Sequence, residues 1–179
     1  MLRRFPNRLQ LAVLCLTALG TFQLHAQTGI FMCLGSTSRN LQLTEFQACG
    51  PRNASQILSF SFGASLPVST SGGILSAGPP TVSVLTLQKN VDGTTVKWAT
   101  NVFGGALTSN TLAIGVNTTG PAGTVNNVTI QLTDPKVVNV SHSGAGNELP
   151  IESVSISYQT ITVIDNTTSP PATITWSGN

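Results

Sequence analysis

The sharpest alternation of apolar and polar positions runs from Leu149 to Ile164, Leu-Pro-Ile-Glu-Ser-Val-Ser-Ile-Ser-Tyr-Gln-Thr-Ile-Thr-Val-Ile. Val154, Ile156 and Tyr158 alternate with Ser153, Ser155, Ser157 and Gln159, which gives an extended strand one apolar and one polar face. The phase then slips, because Ile161 and Val163 fall on odd positions. Such a strand either carries a bulge or passes between sheets at Gln159 to Thr160, as at the corner of a barrel or sandwich.

The rest of the chain reads mostly as strands. Gly29 to Gly35 is apolar on both sides at Ile30, Phe31, Met32 and Leu34, as in a buried strand. Residues 36–56, broken by Asn40, Cys49-Gly50-Pro51 and Asn53, predict a loop with at most one short element near Leu41 to Phe46. Ile57 to Gly63 predicts a strand with Leu58, Phe60 and Phe62 on one face. Ala64 to Thr81 is a long Ser-, Gly- and Pro-rich excursion. At its middle, Ile74 and Leu75 either meet a partner or fold back onto their own domain.

Val82 to Val91 predicts a third strand. The period then lengthens: Val96, Ala99 and Phe103, with Trp98 and Val102 beside them, predict a short helix over about 95–104. Thr95 is its expected N-cap, Gly104-Gly105 its stop, and Trp98 and Phe103 its inward face. Strands follow at Leu107 to Val116, Asn127 to Thr133 and Lys136 to His142, with a turn from Asn117 to Gly123 and a break at Asp134-Pro135. The tail, residues 166–179, carries one short alternation at Ile174 and Trp176, as an edge strand or a flexible end. The expected fold is mainly β, a small barrel of two antiparallel sheets with one helix on its side.

At the N-terminus, Arg3, Arg4 and Arg8 precede an apolar run from Leu9 to Leu19 that closes at Leu24-His25-Ala26. This layout predicts a secretory signal peptide over residues 1–26, cleaved near Ala26, and a domain over 27–165. The run falls short of the ~20 apolar residues of a stable membrane anchor. Loss of the leader leaves Arg39, Arg52, Lys89, Lys97 and Lys136 against 6 acidic residues. A nearly neutral chain without a basic cluster offers nucleic acid no electrostatic footing. Cys33 and Cys49 remain, an even count that in an oxidising compartment suggests one disulfide, with two unpaired thiols as the alternative.

Candidate chemistry is thin. His142 is the only histidine beyond the leader, and no metal, phosphate-loop or dinucleotide motif occurs. Glu148 and Glu152 flank Pro150 and form the one conceivable carboxylate pair, although solvated strand-edge carboxylates explain them more readily. Trp98 is better read as core than as a ligand platform. No catalytic residue, metal or cofactor is assigned, and a non-enzymatic role is expected.

From Val137 to Tyr158 the chain resembles the Hcp (haemolysin-coregulated protein) family, the tube proteins of type VI secretion. The signature Pro150, Glu152, Ser153, Val154 and Ser155 is the most specific part, and Ile57 to Gly63, Lys89 to Asp92 and Ile130 to Asp134 agree in order and spacing. The resemblance implies a small β-barrel of two sheets with one helix, assembled as a homohexameric ring that stacks into a tube and meets a spike or cargo protein. It also implies a ring-stacking role for the loop bearing Ile74 and Leu75. A signal peptide, a cysteine pair and an insertion between the first two strands depart from the family pattern. An exported ring-forming relative is therefore the leading expectation, and a secreted monomeric binding or adhesion module on the same fold the second.

Overall fold

A computed structural model describes residues 28–71, 73–104, 109–120 and 123–177. The expected leader with its cleavage at Ala26, the helix stop at Gly105 and the strand start at Leu107 lie outside the described residues. In chain order the elements are β1 (Gly29–Leu34), α1 (Leu43–Cys49), β2 (Ala54–Ile57), β3 (Ser59–Ser61), β4 (Ala64–Ser65), β5 (Val68–Ser71), β6 (Ile74–Ala77), β7 (Thr81–Val82) and β8 (Leu85–Asn90). They continue with α2 (Thr95–Val102), β9 (Thr111–Gly120), β10 (Gly123–Thr133), β11 (Lys136–Ser143), β12 (Ile151–Ser157), β13 (Thr160–Asp165) and β14 (Ala172–Ser177).

Two antiparallel sheets face each other. One has the order β14-β13-β10-β9-β1-β2, the other β11-β12-β8-β3. Alternation decides what lies between them: Met32, Leu112, Ile114, Ile130, Leu132 and Ile161 from the first sheet meet Leu85, Leu87, Val154 and Ile156 from the second. Burying side chains of this kind contributes about 1.5–3 kcal/mol each.

The chain passes directly from one sheet to the other at three corners, between β2 and β3, β10 and β11, and β12 and β13. The slip after Tyr158 is one: β12 pairs with β8 and β11, whereas β13 pairs with β10 and β14. Gln159 donates its N–H to Thr133 O at 2.9 Å, and the Tyr158 hydroxyl donates to Ser83 O at 2.6 Å, fixing the bend from both sides. The second corner corrects an expectation. The single strand from Ile57 to Gly63 is two, because the chain leaves the edge of the first sheet at Ile57 and joins the edge of the second at Ser59. Leu58, between them, is half exposed, while Phe60 and Phe62 pack on the core. Among the described residues neither sheet closes on itself, so the barrel is open, and there are two helices rather than one.

Helix α2 also departs from expectation. At ~100° per residue, Val96 and Phe103 share a face and Trp98 lies roughly 200° from Val96, so both sides cannot pack inward. Trp98 wins, fully buried, with its indole N–H donated to Thr94 Oγ1 at 2.9 Å. Phe103 is 90% exposed. The N-cap is Thr94 rather than Thr95, because the Asp92 carboxylate accepts the N–H and hydroxyl of Thr94 and sets the turn one residue earlier. The expected turn from Asn117 to Gly123 shortens, since β9 and β10 pair from Gly120 and Gly123 onward. A bulge between Asn126 and Val128 absorbs the change of phase. The tail supplies β14, an edge strand on β13.

Residues 36–53 form a flap over the outer face of the six-stranded sheet. Leu41 is its one fully buried apolar residue, packed with Cys33 and Ala113. Phe46 of α1 packs on Phe31 with ring centroids 4.7 Å apart and the rings tilted by 40°, and the sulfurs of Cys33 and Cys49 stand at bonding distance with their Cα atoms 6.0 Å apart.

Candidate functional site

Two features outside the ordinary core concentrate what the sequence singled out: a projecting arm and a buried ionic network. The arm is built by residues 64–82. Its stalk pairs β4 with β7, and its tip pairs β5 with β6 and with no other strand among the described residues. Pro67 and the Gly78-Pro79-Pro80 run interrupt the ladder, with Gly78 N–H donated to Pro67 O at 2.8 Å across the kink. At the tip Ile74 and Leu75 are 74% and 73% exposed, and Leu66 and Val68 of the shaft are also exposed. Of the two outcomes open to Ile74 and Leu75, folding back is therefore not adopted. A lone two-stranded hairpin is marginal in water, and apolar side chains at its tip gain only by contact with something else. Where the arm leaves the body, a cleft of about 300 Å³ lies between Pro79, Pro80 and Thr81 and the end of β14, Thr175 to Ser177.

The network sits under the signature residues. Lys89 on β8 and Glu152 on β12 are cross-strand partners, and both side chains are fully buried. Lys89 Nζ lies 2.7 Å from Glu152 Oε2 and 2.8 Å from Asp92 Oδ1, and it also donates to Asn90 O at 3.0 Å and Thr95 Oγ1 at 3.3 Å. Glu152 Oε2 further accepts the Thr95 hydroxyl at 3.1 Å, and Oε1 lies 3.0 Å from His142 Nε2. Asp92 completes the group, accepting from Ser55 and Thr94. Burial pushes the Asp92 carboxyl up, but the donors Lys89, Ser55 and Thr94 together outweigh it and hold the group below its ordinary value.

This arrangement revises the reading of the carboxylates. Glu152 is not a solvated strand-edge group, because its position in phase with Val154 and Ile156 turns it inward. Glu148 is exposed in the turn before β12, and Glu152 has both oxygens committed, so the two do not face each other across a substrate-sized gap. His142 lies on β11, within the strand expected there, opposite Glu152. Trp98 is sealed in the core and presents nothing to a ligand. Of the other signature residues, Val154 is core, Ser153 and Ser155 occupy the opposite face of β12, and Pro150 accepts the N–H of Val91 at 3.0 Å. The network thus holds the end of β8, the start of α2 and the start of β12 together. Among the described residues no cluster of His, Cys, Asp and Glu has the composition of a metal site, and no helix is long and apolar enough to cross a membrane.

Comparison with known proteins accords with this geometry. A family model described as "Type VI secretion system effector, Hcp" matches residues 45–164, a span from α1 to β13 that includes the arm and the network. The fold is similar to Hcp1 of the E. coli EAEC 042 pathovar, with a TM-score of 0.65 at 15% identity over 84% of this chain and 99% of that one. It is also similar to a type six secretion system protein, TM-score 0.64 at 21% identity over 84% and 96% of the two chains. Hcp1 of Salmonella typhimurium gives 0.62 at 16% identity over 83% and 93%. Among curated proteins no sequence relative is found. With identity this low the structures speak for the fold, and the family model speaks for descent: the chain belongs to the Hcp family of type VI secretion.

Proposed function

We propose that this protein is a non-enzymatic structural subunit that self-associates into a hexameric ring and acts outside the cytoplasm, with its arm as the contact to a neighbouring ring. The observation that carries this reading is the arm itself. Ile74 and Leu75 are held on a paired hairpin yet contribute nothing to their own core, as expected of a surface completed by another copy. A ring of such subunits would offer its faces to further rings or a spike protein and its lumen to cargo. Export rests on the leader pattern at residues 1–26, and a Cys33–Cys49 disulfide belongs with it.

Light scattering and electron microscopy of the chain from residue 27 test the ring. Hexamers and stacks are expected, and Ile74→Ser with Leu75→Ser should reduce stacks to single rings without lowering the melting temperature. A strictly monomeric species at high concentration would remove the ring and leave the second reading, a secreted binding module. The neutral surface and the covered outer sheet face favour that module. Cell fractionation tests export: a full-length cytosolic form that retains residues 1–26 would sink it.

A further inference from the structure

We infer that Phe103 of one copy seats in the cleft at the arm root of its neighbour, and that this knob and cleft form the contact between adjacent copies around a ring. The inference rests on the self-association proposed above and supplies the two surfaces that it uses.

The knob is fixed on the body. Phe103 is the most exposed large apolar side chain among the described residues, at 90%. Its N–H donates to Ala99 O at 3.3 Å, and Gly104, at φ 97°, donates to Asn101 O at 3.2 Å, so the end of α2 is a closed turn. The helix beneath it is anchored by Trp98 in the core and by Asn101 Oδ1, which accepts the Val137 N–H at 2.7 Å. Val102 beside it and Val138 next to the anchored Val137 are exposed as well. A phenyl ring on so rigid a mount gains nothing from its own chain and gains by contact with another.

The cleft is fixed too. Pro79, Pro80, Thr81 and Val82 form one wall and Thr175, Trp176 and Ser177 the other, around about 300 Å³. An apolar cavity of ~150 Å³ holds benzene, so the space admits a phenylalanine side chain. No charged residue lines it, and proline and tryptophan walls suit an aromatic ring. The hydroxyls of Thr81 and Thr175 are engaged with Ser65 Oγ at 2.8 Å and Thr162 Oγ1 at 2.9 Å, so burying them under an apolar group strands neither. The β4–β7 ladder carries one wall, the β13–β14 ladder the other, and Trp176 packs on the core from behind. Neither surface has to move, and no segment of the chain has to be displaced.

Phe103 does not line the cleft of its own chain, since α2 packs on β11. Knob and cleft thus belong to different surfaces of one molecule. A copy that gives its Phe103 to one neighbour keeps its cleft for the next, a heterologous contact that closes into a ring when the rotation closes. Ile74 and Leu75, at the other end of the arm, stay available for the contact between rings.

Cross-linking tests the pairing. Mature protein carrying Phe103→Cys is mixed with mature protein carrying Pro80→Cys, both native cysteines kept, and oxidised with copper phenanthroline. Covalent dimers are expected from the mixture and from neither variant alone. Dimers from one variant alone would mean a two-fold contact and would overturn the pairing. Light scattering gives the second readout. Phe103→Ser and Pro80→Asp should each lose the hexamer at the concentration where the wild type forms it, with the melting temperature unchanged, while Phe103→Leu keeps it. Hexamers that persist in Phe103→Ser overturn this contact and leave the ring standing. A wild type that is monomeric throughout overturns the ring, and the contact with it. The Ile74→Ser, Leu75→Ser chain should still form hexamers; their loss there would assign the cleft to the arm tip and overturn the role of Phe103.

Discussion

At the scale of single residues, the pair Lys89–Glu152 carries the most free energy at stake. Two charges without solvent contact are tolerable only while each satisfies the other, and removal of one partner typically costs ~3–5 kcal/mol. Lys89→Met should therefore lower stability by about that amount in urea titration, and adding Glu152→Leu should restore most of it. A single substitution costing under ~1 kcal/mol would show that the pair is not the clamp described here. Asp92 adds a pH signature. Its folded-state carboxyl is held below the ordinary 3.8, so its contribution is fully present above that value and is lost as pH falls through the depressed range. The stability gap between wild type and Asp92→Asn should accordingly shrink below about pH 3.8, as read from urea midpoints across acid pH. The pair was legible in the sequence by parity. Lys89 is in phase with Leu85 and Leu87, and Glu152 with Val154 and Ile156, so inward charges on neighbouring strands implied each other. The signature identified Glu152 as a family position without that partner.

At the scale of elements, long alternating strands were readable and short ones were not. β12 follows its pattern up to the residue where the sheet changes, whereas β13 buries Ile161 and Ile164 and leaves Val163 between them partly buried. The break between β2 and β3 left no mark, because Leu58 keeps an apolar letter while turning to solvent at the corner. Helix α2 misled for a related reason: its apolar residues surround the helix, and only the wall of β11 decides that Trp98 faces in and Phe103 out. Helix α1 has no fully buried residue and holds its place through Phe46 on Phe31 and through Cys49. Replacing both Cys33 and Cys49 by serine should then cost ~3 kcal/mol of global stability, the entropy of a loop of about this length. The loss should appear equally in wild type treated with a dithiol reductant. A variant whose melting temperature stays unchanged would mean that the bridge restrains nothing.

At the scale of the whole molecule, periodicity gave two sheets and a corner, but not the pairing order. Strand neighbours such as β1 and β9 are far apart in sequence, and nothing local encodes them. The ionic surface is sparse, with 8% charged residues overall, so assembly through the arm would rest on apolar contact. Ring stacking is therefore expected to persist, as seen by light scattering, when salt is raised from low to high concentration.

The placement of β1 between β9 and β2 bears on the order of events during vectorial synthesis or export. β1 emerges first and gains β2 as a local neighbour, but its other edge stays vacant until β9 has followed, which delays closure of the first sheet. Cys33 and Cys49 meet across a short loop long before that. A chain emerging into an oxidising space would thus lock its flap before the sheet beneath it exists, and the sheet would assemble against a segment already in position.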